Sequence, residues 1–138
     1  MRLKKDSSEQ KLRGAYYTPL QLANAMVNLC ASDDIHTVLE PSCGDGVFLD
    51  SLRQLNLIEQ IGTIDAVEIE PDEAEKVQRN YRNYQNVHVL NEDFFEFYSR
   101  MVDAQTQYDL ILGNPPYIRY QIDLDNKAIA FKESGVKI

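Results

Sequence analysis

Asn114-Pro115-Pro116-Tyr117 follows directly on the apolar run from Tyr108 to Gly113, and its residue types suit the holding of a planar amino group. The amide oxygen of Asn114 and the carbonyl of Pro115 can each accept one hydrogen of an exocyclic amine, while Tyr117 offers a ring face for stacking. Pro115 and Pro116 cannot donate to a sheet ladder, so a strand delivered by residues 108–113 has to stop there and open into a cleft. The same four residues would also serve as an ordinary strand-ending turn, since Asn and Pro are both turn formers. Taken alone, the two readings stand even.

Acidic residues upstream tip the balance. Pro41-Ser42-Cys43-Gly44-Asp45-Gly46 reads as a tight loop after a short strand Thr37–Glu40, with Gly44 and Gly46 free to take left-handed dihedrals and approach a ligand closely. Leu49 fills the third glycine position of a dinucleotide fingerprint, and Glu40 and Asp45 would repel a pyrophosphate, so the loop suits a ligand that carries positive charge. Glu68 lies at the end of the next strand, read as Ile64 to Ile69, where one carboxylate can grip both hydroxyls of a ribose. Glu70 and Asp72 are read instead as helix-capping acids. Ile69 would lie against an adenine face, and Asp93, with Phe94 packing on the ring, is placed to accept from an adenine amino group or to cap the following helix. Tyr16 and Tyr17 with Thr18 either fold over a ligand or form a hydrophobic staple.

These positions need elements to hold them. Residues 1–14 read as a flexible lead-in, residues 15–121 as one domain, and residues 122–138 as a weakly helical tail. Thr18 as N-cap, Pro19 at the first helical position and Gln21 at the capping-box position open a first helix, which would pack through Leu22, Ala23, Met26, Val27 and Cys30. A second helix carries Val47, Phe48, Leu49, Leu52 and Leu55. A third runs from Pro71 to about Tyr84, Val87 to Leu90 is a strand, and a fourth helix holds Phe94, Phe97 and Met101. The order strand, helix, strand, helix, strand, helix, strand predicts an α/β fold with a mostly parallel sheet, whose ligands sit at the carboxyl ends of the strands. Glu40, Glu68, Asp93 and Asn114 all fall at those ends.

The composition is that of a globular chain: 138 residues, 43% hydrophobic and 26% charged. A net charge of -8 argues against strong binding of a nucleic-acid backbone by this chain alone, although basic residues gather at the N-terminus and after Tyr117. Cys30 and Cys43 lack metal-ligand spacing, and His36 and His88 are isolated, so no metal site is expected. With no signal-peptide pattern and no apolar run long enough to span a bilayer, the expected location is the cytoplasm and no membrane partner is foreseen.

In order along residues 11–121, Tyr17-Thr18-Pro19, Leu39-Glu40-Pro41-Ser42-Cys43-Gly44-Asp45-Gly46-Val47-Phe48, Val67-Glu68-Ile69, Asp93-Phe94 and Asn114-Pro115-Pro116-Tyr117 resemble the DNA adenine-N6 methyltransferases of restriction-modification systems. The resemblance implies a Rossmann-like class I methyltransferase fold that binds S-adenosylmethionine and acts on an adenine flipped out of DNA. It implies further that Tyr17, Thr18, Glu40, Pro41, Ser42 and Gly44 lie around the methionine part of the cofactor, Glu68 at the ribose, and Ile69, Asp93 and Phe94 at its adenine. Asn114, Pro115, Pro116 and Tyr117 would hold the target base. Sheets of this family have about seven strands and only four are countable here, so the chain is expected to be truncated, with the missing region on the same or another polypeptide. Methylation of RNA adenine or of a protein glutamine amide poses the same chemical problem and stands as an alternative, as does a cofactor-binding subunit without catalysis.

Overall fold

β-Branched and aliphatic residues alternate with few interruptions in Thr37–Glu40, Thr63–Val67 and Val87–Leu90, and these segments form strands β1, β2 and β3. The computed structural model describes residues 17–114. The sheet order is β3-β2-β1-β4, with every described pair parallel, and β4 is the two-residue strand Leu110–Ile111. Val38 faces Ile64 and Leu110, and Val67 faces Leu90. The chain thus steps outward from β1 to β3 and then returns to the far side of β1. That reversal lies between β1 and β4.

Both faces of the sheet are apolar, as a parallel sheet covered on both sides requires. Val38, Ile64 and Ala66 pack with Ala23, Val27, Phe48, Leu49, Leu52, Val77 and Tyr81, which come from three helices: α1 (Leu20–Cys30), α2 (Val47–Gln54) and α3 (Pro71–Tyr81). On the other face Leu39 and Val67 meet Phe97 of α4 (Phe94–Asp103), with Leu90, Phe94, Met101 and Tyr108 around them. Burying one such aliphatic or aromatic side chain contributes about 2 kcal/mol, so the larger cluster dominates the stability of the fold.

Helix starts follow local chemistry. Pro71 stands in the first turn of α3 with Asp72 and Glu73, whose charges complement the N-terminal dipole. Gly46 at φ +85° ends the loop before α2, and Asp93 caps α4 by accepting from the Phe95 amide at 2.7 Å. The first helix departs from expectation. It begins at Leu20 with Pro19 in the cap position and without a side-chain cap bond, so Thr18 is not its N-cap. Leu22 and Cys30 point to solvent rather than into the packed face. The cause is Asn24: its amide donates to Gln54 and its carbonyl accepts from Ser51, which turns α1 onto α2 through Ala23, Met26 and Val27.

Three further boundaries differ. β2 ends at Val67, before Glu68, and α3 ends at Tyr81 rather than near Tyr84. The apolar run 108–113 is not a fully buried strand: only Leu112 is buried, Ile111 is 60% exposed, and Tyr108 is half-buried with its hydroxyl donating to Asp65 at 2.5 Å. As an outer strand of the described sheet, β4 pairs with β1 alone among the described strands.

Candidate functional site

Contacts rather than proximity alone knit the strand ends together. After β1, the Cys43 amide donates to the carbonyl of Val67 at 2.8 Å, so the 41–46 loop is tied to the end of β2. Next to it the Gly44 amide donates to Oε2 of Glu68 at 2.7 Å, while Oε1 of the same carboxylate accepts from the Glu70 amide at 3.0 Å. Glu68 is 8% exposed, and its two oxygens brace two turns at once. A carboxylate oxygen has a second lone pair, so each can still accept from a hydroxyl. From β3, Nδ2 of Asn91 donates to the carbonyls of Glu68 at 2.8 Å and Ile69 at 3.0 Å.

The β4 side joins through close packing. A Cβ at Gly113 would lie 3.3 Å from Cδ of Pro41, so the absence of a side chain there lets β4 lie against the 41–46 loop. Asn114 follows at the mouth, where its Nδ2 donates to Oγ1 of Thr18 at 3.1 Å. With its NH2 so engaged, the amide presents its oxygen as an acceptor. Tyr17 reaches the other way, donating from its hydroxyl to Glu73 at 3.2 Å, so the segment ahead of α1 straddles the strand ends from β4 to α3. Thr18 is buried, and the bond to Asn114 is its role in place of the helix cap.

Charge is concentrated where these parts converge. Glu40 is 2% exposed, and Oε2 has no hydrogen-bond partner among the described residues; the buried Ser42 hydroxyl is in the same position. Burial pushes the Glu40 carboxyl well above the usual range, and the neighbouring Asp45, Glu68 and Asp50 push it the same way. Asp45 is raised chiefly by burial, against the amide of Val47 that it accepts from, and the Cys43 thiol is raised by burial and by Glu40. A buried acid with an unpaired oxygen and acidic neighbours would be stabilised in its charged form by a positively charged ligand. At Gly44, φ is +54° and an added Cβ would meet nothing within 4 Å, so the loop's backbone faces open space there. These residues fit a ligand with a positive centre and a diol.

The structure brings Thr18, Glu40, Pro41, Ser42, Gly44, Glu68 and Asn114 into one connected set. Ile69 is exposed beside it. Asp93 uses one carboxylate oxygen for the α4 cap, and Phe94 packs with Phe95, Phe97 and Tyr98. Pro115, Pro116 and Tyr117, together with the lead-in 1–14, Tyr16 and the tail 122–138, lie outside the described residues. Asn91 was not foreseen from the sequence. The one available signal was an Asn immediately after a strand of a βα fold, where a side-chain donor can continue a ladder that the backbone has left. A cavity of about 260 Å³ lined by Val27, Ile35, Leu52, Leu57, Ile61 and Leu110 lies at the opposite, N-terminal ends of the strands, away from all these acids. Among the described residues no cluster of His, Cys, Asp and Glu could hold a metal ion, and no helix is long and apolar enough to cross a membrane.

The arrangement recurs in solved structures. A modification subunit attributed to a type I restriction enzyme of Vibrio vulnificus YJ016 matches 91% of this chain and 30% of its own, with a TM-score of 0.59 at 22% identity. A methyltransferase from Geobacter sulfurreducens matches 96% of this chain and 65% of its own, with a TM-score of 0.52 at 12% identity. The fold is the Rossmann-like one of the class I S-adenosylmethionine-dependent methyltransferases. Within that class the model of the N-6 DNA methylase family matches residues 3–136, and the chain belongs to that family. It is 33% identical over 116 residues to the type II methyltransferase M.HincII of Haemophilus influenzae, covering 84% of this chain and 19% of that protein. To M.AccI of Acinetobacter calcoaceticus it is 33% identical over 119 residues, covering 83% and 20%. The chain therefore spans about a fifth of the length of these relatives.

Proposed function

We propose that this chain binds S-adenosylmethionine at the carboxyl ends of β1, β2 and β3 and presents Asn114 to the exocyclic N6 amine of an adenine in DNA, for methyl transfer. Family membership and the type II methyltransferase relatives support the reaction class. The observation that carries the reading is the bond from Asn114 to Thr18, which commits the amide NH2 and leaves the oxygen to accept from an amine.

Bound S-adenosylmethionine supplies an electrophilic methyl group on a sulfonium. Glu40 would hold its positive methionine part, with Thr18, Pro41, Ser42 and Gly44 around it, and Glu68 would accept from the ribose hydroxyls. Ile69, Asp93 and Phe94 would border the adenine. An adenine amine is a weak nucleophile because its lone pair is delocalised into the ring. Accepting its two hydrogens at Asn114 and at the Pro115 carbonyl favours a pyramidal nitrogen with its lone pair aimed at the methyl, so the catalysis is positional and electrostatic. Tyr117 would stack on the extruded base and offset part of the few kcal/mol that extrusion costs.

Asn114→Ala tests this directly. Transfer of labelled methyl from the cofactor to duplex DNA falls to background in the variant, while cofactor binding by calorimetry is unchanged; retained transfer removes Asn114 from the chemistry. A second reading is cofactor binding without turnover. It predicts binding by the unaltered chain with no transfer to DNA, and transfer to RNA or to a glutamine-containing peptide instead would reassign the acceptor.

A further inference from the structure

We propose that Asn91 is a positioning residue for the nucleoside end of the cofactor site, an inference that rests on the cofactor reading above. The parallel ladder between β2 and β3 ends where the Glu68 amide donates to the Leu90 carbonyl at 2.9 Å. Beyond that point the backbone of residues 68–70 turns away toward α3, and the carbonyls of Glu68 and Ile69 take their donor from a side chain. Asn91 supplies it, with one Nδ2 reaching both carbonyls at 2.8 and 3.0 Å. Only the NH2 end of the amide can serve two carbonyl acceptors, so its orientation is fixed by chemistry.

The consequence reaches the carboxylate. Glu68 closes the same turn from the other side, accepting from the Glu70 amide, and carries its second oxygen to Gly44 across the site. Asn91 thus holds the backbone from which Glu68 meets a ribose diol, and it sets the direction in which exposed Ile69 faces. Its bonds go to the backbone of residues 68 and 69, whereas Asn114 is bonded to Thr18. Its effect belongs to affinity for the nucleoside portion.

The test is calorimetric titration of the 138-residue chain with S-adenosylhomocysteine and with its 2′-deoxyribose analogue. In the unaltered chain the deoxy analogue binds more weakly. Asn91→Ala is expected to lose affinity for S-adenosylhomocysteine on the order of tenfold, as for loss of one to two hydrogen bonds, and to discriminate less between the two ligands because Glu68 is no longer held. Asn91→Asp turns an acceptor toward two carbonyls at neutral pH. Protonating it restores one donor, so its affinity relative to the Ala variant recovers as pH falls toward the carboxylate range.

Equal loss for both ligands in the Ala variant, or no loss for either, overturns the assignment. Failure of the unaltered chain to bind S-adenosylhomocysteine overturns the cofactor reading itself. Should the variants not fold, the unaltered chain still decides: slowed solvent exchange of the Asn91 side-chain NH2 by NMR supports the clamp, and free exchange of both protons removes it.

Discussion

Burial costs the Glu40 carboxylate its hydration, and no hydrogen-bond donor among the described residues replaces it at Oε2. Its carboxyl is held well above the usual range, by burial first and by Asp45, Glu68 and Asp50 next. The sign for stability follows. A carboxyl whose folded pKa is raised contributes fully below its ordinary value and loses that contribution as pH rises through the raised one. Glu40 therefore weakens the fold toward neutral and alkaline pH. Glu40→Gln keeps the shape and removes the charge, so thermal unfolding is expected to show the variant more stable than the parent at pH 8, with the gap closing near pH 4. On the proposed cofactor reading, the same change removes the partner of the cofactor's positive charge. Affinity for S-adenosylmethionine is expected to fall by roughly tenfold or more, the equivalent of about 1.4 kcal/mol. Gaining stability while losing binding is the signature of a residue kept for its ligand; a variant that loses both would make Glu40 structural.

The shortest element depends on the least regular bond set. β4 has two residues in register with β1, Leu110 and Ile111. Just ahead of it, Oδ2 of Asp109 accepts from the amides of His36 and Thr37 at 2.8 and 2.9 Å and lies 3.2 Å from the Thr37 hydroxyl, which fastens the start of β4 to the start of β1. Those backbone donors lower the Asp109 pKa. The clamp is accordingly present above the ordinary carboxylate range and lost as pH falls through the lowered value. Asp109→Ala should loosen β4 while β2 and β3 stay paired, read as faster hydrogen exchange at the Leu112 amide, which donates to Leu39, against an unchanged Glu68 amide. Unchanged exchange at Leu112 would show that Asp109 does not hold the strand. Elements whose signals are local were legible in the sequence: the Pro71 start of α3, the two glycines of the 41–46 loop, the strand Val87–Leu90. What was not legible depended on distant partners. Thr18 looked like a cap because a Thr-Pro pair usually is one, whereas its partner is 96 positions away at Asn114. Glu68 was placed inside a strand because the apolar pattern runs through Ile69, whereas the strand stops at Val67 and the Asn91 side chain, just after β3, takes up the carbonyls of Glu68 and Ile69. For Asp93 both readings were open, and the bond to the Phe95 amide answers only for the cap.

At the scale of the whole molecule, the described sheet ends in two outer strands, β3 and, on the other side, β4. Ile111 is 60% exposed on that strand, and Leu20, Leu22 and Leu29 of α1 are exposed as well. A bare strand with an apolar side chain is a template for pairing with another chain, and a charge placed on it is a common natural remedy. Against this works a net charge of -8, which keeps copies apart at low ionic strength and does so less as salt screens it. The two effects predict self-association that grows with salt, opposite to an assembly held by ion pairs. Sedimentation velocity at low and high salt should show the parent shifting toward larger species as salt rises. Ile111→Lys is expected to abolish the shift while leaving the far-UV circular dichroism and S-adenosylhomocysteine affinity intact, because residue 111 supplies none of the bonds that join Glu68, Asn91 and the 41–46 loop. Association that persists in the variant would move the adhesive surface to the exposed leucines of α1, and association that weakens with salt would point to charge pairing rather than to the strand.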